Sequence, residues 1–86
     1  MTTILPSDHG VTVRYWAGAR AATGVTSDVV GGSTVADVVA AAVALHPALE
    51  PVAAVATFLV DGSASPGDRA VPAGATVEVL PPFAGG

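Results

Sequence analysis

Apolar and polar residues alternate from Val11 to Ala17. Val11, Val13, Tyr15 and Ala17 fall on one side, and Thr12, Arg14 and Trp16 on the other. A period of two is that of a strand with one buried face, so the first set is expected to face a core. Gly18 to Gly24 predicts a turn. Val25 to Val30 predicts a second strand folded back on the first, ended by Gly31-Gly32. The period then changes. Val35, Val38, Val39, Ala42, Leu45 and Leu49 recur at helical spacing, which predicts a helix over Thr34 to about His46 with these six as its buried stripe. Thr34 stands at the N-cap with Asp37 three residues on, a capping-box arrangement, and Pro47 closes the helix.

A Pro-punctuated link over 48–55 leads to Thr57-Phe58-Leu59-Val60. This apolar run is too short to alternate, so it reads as a strand buried on both faces. Asp61-Gly62 makes a turn and 63–68 a loop. Arg69-Ala70-Val71 predicts a short edge strand, and 72–75 another turn. The last strand, Thr76 to Leu80, carries Thr76, Glu78 and Leu80 on one face and Val77 and Val79 on the other. The order β-β-α-β-(β)-β, with the helix after a hairpin, predicts an α+β fold of two layers. A single domain is expected over 1–80, with 1–10 as a loose N-terminal arm and 81–86 as an extended tail.

Composition narrows the function. With few aromatics, the core must be built from Val, Ala and Leu. The formal net charge is −4, and Arg14, Arg20 and Arg69 are the only basic residues besides two histidines. An acidic chain is unsuited to nucleic acid, which requires a basic face. It suits a protein partner with a basic surface. No apolar run approaches the roughly 18 residues that a membrane span requires, and the N-terminus lacks signal-peptide character. A cytoplasmic location is expected. There is no Cys and no Lys, which excludes disulfides, thiolate metal sites and a cysteine nucleophile. His9, among turn formers, reads as a loop residue. His46 reads as a cation favoured by the helix C-terminus.

The candidate chemistry lies in the last residues. Pro81 and Pro82 stop the final strand, because each lacks a backbone donor and fixes φ. Six extended residues reach roughly 20 Å. Phe83 and Ala84 follow, and Gly85 and Gly86 leave the end thin, with no Cβ to shield the carboxylate carbon. Such an arm fits a deep pocket of another protein; the alternative is a frayed terminus. Trp16 either covers the sheet or serves as a docking anchor. Arg20 is either a solvated side chain, a partner contact or a ligand for the tail carboxylate.

Several of these stretches together resemble the small sulfur-carrier proteins of the ubiquitin-like β-grasp fold, in particular the small subunits of molybdopterin synthase. They are Leu80-Pro81-Pro82-Phe83-Ala84-Gly85-Gly86, the first strand through Tyr15-Trp16-Ala17 to Arg20 and Gly24, the Thr34-Val35 helix start and the Val60-Asp61 strand end. Ala73-Gly74-Ala75 replaces an acidic turn common in that family, and Asp61 replaces an Asn. The resemblance implies a mixed sheet of four to five strands with one main helix on one face. It implies that Gly86 is adenylated by a ubiquitin-activating-type enzyme using ATP, converted to a thiocarboxylate by a sulfur donor protein, and used to build the dithiolene of molybdopterin. The chain would bind no cofactor and would not be catalytic alone. The large synthase subunit would supply the active site, in a heterotetramer. Trp16, Arg20, Leu80 and Phe83 are the expected partner-binding residues. The competing readings are a sulfur carrier for cysteine, thiamine or tRNA thiolation, a ubiquitin-like protein modifier, and a plain β-grasp interaction module.

Overall fold

The computed structural model describes residues 10–82. The N-terminal arm expected over 1–10 lies outside that range, apart from Gly10. Five strands form one mixed sheet: β1 (Val11–Tyr15), β2 (Ser27–Val30), β3 (Thr57–Val60), β4 (Ser63–Ala64) and β5 (Thr76–Leu80). Their spatial order is β2-β1-β5-β3-β4. β1 pairs with β2 antiparallel, as the hairpin reading requires, and with β5 parallel. β3 pairs antiparallel with both β5 and β4. The parallel pair sits at the centre, so β1 and β5 end at the same edge of the molecule.

The alternation in β1 holds: Val11, Val13 and Tyr15 are buried. The strand stops at Tyr15 rather than Ala17, because Ala17 takes φ 46°, a left-handed conformation closed to an extended chain. The expected turn over 18–24 is instead a short helix, α1 (Gly18–Thr23). Its Ala-Arg-Ala-Ala run favours helix, and Gly24 at φ 76° stops it, its N–H donating to the Arg20 carbonyl. Ala19 turns into the core.

The main helix is α2 (Val35–Leu45). Its first N–H groups are all satisfied. Val35 donates to the Arg69 carbonyl, Ala36 to the Gly67 carbonyl, Asp37 to Thr34 Oγ1 and Val38 to the Thr34 carbonyl. The Asp37 carboxylate accepts from the Ser33 N–H at 3.2 Å, one residue earlier than a standard capping box. Val35, Val38 and Ala42 are fully buried, and Val39 is partly so. Leu45 departs from the expected stripe and is 55% exposed. Pro47 opens a 3-10 turn, Pro47–Leu49, which carries Leu49 off the helix and into the core at 0% exposure. A short helix, α3 (Glu50–Ala53), forms the middle of the Pro-punctuated link.

Two further differences concern β3 and its surroundings. Only Val60 of β3 is buried, and Phe58 and Leu59 are half-buried. Among the described residues helices cover one face of the sheet, and β3 is accordingly not buried on both. Arg69–Val71 makes a single bridge, Ala70 to Thr34, and is not a sheet strand. The added strand is β4, set by an Asp61-Gly62 turn in which both residues have positive φ, as a two-residue hairpin requires. Valines from β1, β3 and β5 meet Val35, Val38, Ala42, Ala19 and Leu49. The core is thus mostly Val and Ala, with Leu49 its largest fully buried side chain.

Candidate functional site

The parallel β1–β5 register sets the site. Tyr15 lies beside Val79, and the Trp16 N–H donates to the Val79 carbonyl at 3.3 Å. Trp16 and Ala17 therefore flank Leu80 and Pro81, where β5 ends. Pro81 and Pro82 offer no donor to continue the ladder. Of the expected tail, Pro81 is half-buried and Pro82 exposed. Phe83, Ala84, Gly85 and Gly86 lie outside the described residues.

The sheet face away from the helices is open at this edge. Trp16 stands on it, 38% exposed. Its indole N–H donates to Glu78 Oε2 at 2.9 Å, and the Arg14 guanidinium lies 4.8 Å from the ring centroid. A cation over the ring face and an acceptor at the ring edge both suit an indole. They hold Trp16 on the surface in a fixed orientation. Leu80 and Leu59 share this face, both half-buried, with Leu59 opposite Glu78 and Leu80 opposite Thr57. The structure thus brings Trp16 and Leu80 together at the root of the arm.

Arg20 lies on α1, around the edge from Trp16. It is exposed and lines a groove of about 420 Å³ with Ala17, Ala21, Gly24, Val25 and Thr26. Among the described residues no carboxylate lies within salt-bridge distance of Arg20; the one acid–base pair at that distance is His46 and Asp28.

That pair belongs to a cluster the sequence reading missed. Asp28 Oδ2 accepts from the Tyr15 hydroxyl at 2.9 Å and meets His46 Nε2 at 2.7 Å. The Tyr15 and His46 rings pack edge to face, 5.9 Å between centroids. Burial, then the hydrogen bond and charge of Asp28, push the Tyr15 hydroxyl well above its ordinary value of 10.0. It therefore remains a donor at neutral pH. His46, expected to answer to the helix end, instead ties that end to the β1–β2 hairpin. One signal was available. Asp28 alternates with Val30 on the core side of β2, and an inward carboxylate on an edge strand needs a partner while it blocks strand addition.

Among the described residues no group of three or more His, Cys, Asp or Glu could hold a metal ion, and no helix is long and apolar enough to cross a membrane. Compared with known protein families, residues 13–86 match the ThiS family. The chain belongs to the ThiS family. Solved structures agree on its fold. SAMP1 from Haloferax volcanii is 26% identical, with a TM-score of 0.81 over 90% of this chain and 99% of that one. A putative molybdopterin converting factor, subunit 1, from Pyrococcus furiosus is 23% identical, with a TM-score of 0.77 over 87% and 99%. The BexX/CysO complex of Amycolatopsis orientalis includes a chain 23% identical, with a TM-score of 0.77 over 88% and 99%. No curated protein matches at a comparable level. This ThiS-family chain therefore has the expected ubiquitin-like β-grasp fold and is a ubiquitin-like protein of the sulfur-carrier and modifier kind.

Proposed function

We propose that the protein is a sulfur carrier whose Gly86 carboxylate is activated and thiolated, and that it serves as the small subunit of a molybdopterin synthase. The observation that carries this reading is the root of the arm. A central strand, β5, ends at Pro81-Pro82 beside the oriented Trp16 and half-buried Leu80, so the terminal segment begins at this edge. A carboxylate oxygen of Gly86 attacks the α-phosphate of ATP, and pyrophosphate leaves. The acyl-adenylate now has a good leaving group. The terminal sulfur of a donor-protein persulfide displaces AMP, and a thiol cleaves the resulting acyl disulfide, leaving the Gly86 thiocarboxylate and a disulfide on the donor side. In the large subunit that sulfur forms a C–S bond to a pterin precursor as an oxygen substituent leaves, water hydrolyses the resulting thioester to free the Gly86 carboxylate, and two such transfers complete a dithiolene. The catalytic side chains belong to the partners, and this chain supplies the reacting atom. Trp16, Leu80 and Phe83 form the apolar docking surface.

The Pro-Pro pair favours the pterin branch over the thiamine branch. A protein-modifier reading is favoured by the likeness at 26% identity to SAMP1, a small archaeal modifier protein. Reconstitution separates them. The thiocarboxylate form is offered in turn to a pterin-synthase large subunit, a cysteine-synthase-like enzyme, a thiazole synthase and a lysine-bearing acceptor protein. Dithiolene formation with the first is expected. Turnover with another of these in its place assigns the sulfur to that branch, and an isopeptide bond to Gly86 assigns the modifier role.

A further inference from the structure

An activated Gly86 is an electrophile. The groups that capture such a carbonyl are amines, thiols and hydroxyls activated by a base. The sequence contains no Lys and no Cys. Its three arginines do not stand in for lysine, because a guanidinium keeps its proton and has no lone pair to offer. Tyr15, two histidines and the hydroxyls of Ser and Thr are left.

The fold withdraws the phenol. The Tyr15 ring is 2% exposed, and its hydroxyl donates to Asp28 Oδ2 at 2.9 Å. Burial first, then that carboxylate, hold it protonated where an exposed tyrosine begins to ionise. His46 is tied to the same carboxylate oxygen at 2.7 Å. An acyl group on an imidazole is in any case cleaved by water, so neither His46 nor His9 retains one. A hydroxyl attacks only with a base beside it. Thr23 and Ser65 instead donate to backbone carbonyls, and Thr34 Oγ1 accepts from the Asp37 N–H.

We propose that the chain is an acyl donor only: no side chain of one copy captures the activated Gly86 of another. The inference rests on the activation step of the proposed function, and it constrains both branches. As a sulfur carrier, the protein is not consumed by coupling to its own copies where they gather at the activating enzyme. As a modifier, it adds singly to each acceptor amine, because an attached copy offers no lysine to the next. The accepting nucleophile, whether sulfur or amine, is carried by a different protein.

The test needs no activating enzyme, so its failure is distinguishable from failure of the activation step. The full chain, with its α-amino group acetylated, is prepared as the Gly86 thioester of a small thiol. It is held concentrated at pH 9, where about 4% of an ordinary lysine side chain is the neutral amine. Intact mass should show the wild-type thioester lost to water, with no covalent dimer. Arg20→Lys on α1 and Arg69→Lys beside the start of α2 keep the net charge and place one amine at an exposed position. Each should give a dimer joined from Gly86 to the new lysine, roughly tenfold or more above any wild-type background, as for an amine against unactivated hydroxyls. A wild-type dimer that fragmentation places at Tyr15, a hydroxyl or an imidazole overturns the proposal. So do lysine variants that couple no better than the wild type, because the missing amine would then not be what keeps copies apart.

Discussion

Tyr15 allows an unusually clean test of the packing beneath the arm. It is the sole tyrosine, and the chain has no lysine or cysteine. Between about pH 9 and pH 12, no other side chain in the sequence titrates from an ordinary value. In the fold its ring is 2% exposed and its hydroxyl donates to Asp28. Burial and the neighbouring carboxylate both oppose a phenolate, so the folded value is raised above 10.0. Unfolded, Tyr15 titrates normally. Below pH 10 both states hold the proton, and stability does not depend on this group. Above pH 10 the unfolded chain loses the proton while the fold keeps it, so stability falls by about 1.4 kcal/mol per pH unit. For as long as the folded state keeps the proton the loss goes on growing, and it becomes a large share of a small domain's stability. Urea denaturation at pH 8 to 12 measures it, alongside phenolate absorbance of the native protein. Tyr15→Phe should start less stable by about 1 kcal/mol, for the lost hydrogen bond, and should lack the alkaline slope. A native phenolate appearing at pH 10, or an equal slope in Tyr15→Phe, refutes the reasoning.

The remaining predictions concern the bend, the core and the proposed docking face. Ala17→Gly relieves a conformation costing of order 1–3 kcal/mol in Ala and adds about 0.5–1 kcal/mol of chain entropy; a net gain of about 1 kcal/mol is expected, seen as a higher denaturation midpoint at unchanged m-value. Leu49→Ala should cost about 2–5 kcal/mol by the same measurement, because Leu49 is the largest fully buried side chain, whereas Leu45→Ala should cost under about 1 kcal/mol. Trp16→Ala should destabilise by only about 1 kcal/mol, for the lost stacking and hydrogen bond, yet raise KM about tenfold when the chain is the substrate in ATP–pyrophosphate exchange by its adenylating enzyme, as for an interface anchor.

Much of the fold was legible because its period is unambiguous. The β1 alternation, the α2 stripe from Val35 to Ala42 and the Val77–Val79 face of β5 each follow from spacing alone. The misreadings cluster where one residue type serves two structures. Gly18 to Gly24 offered glycines at both ends, which mark a turn and equally bracket a short helix. Leu45 and Leu49 both fit the helical period, and only the tertiary path after Pro47 decides which is buried. β4 has two residues, too few for any pattern to show, and its position follows from the Asp61-Gly62 hairpin. The sheet face away from the helices was half legible. Trp16 and Leu80 followed from alternation, but the Glu78 and Arg14 contacts that orient the indole depend on the parallel pairing of the first and last strands. No local pattern reveals that pairing. The same holds for Asp28, whose partners come from β1 and the end of α2.

The central claim is that Gly86 carries sulfur. Its most direct test is the intact mass of the full chain after incubation with its adenylating enzyme, ATP and a sulfur donor, followed by fragmentation to locate the change. The account predicts one oxygen replaced by sulfur, at Gly86, dependent on ATP and absent from a chain extended by one residue beyond Gly86. An unchanged mass under conditions in which the enzyme forms the acyl-adenylate would contradict it.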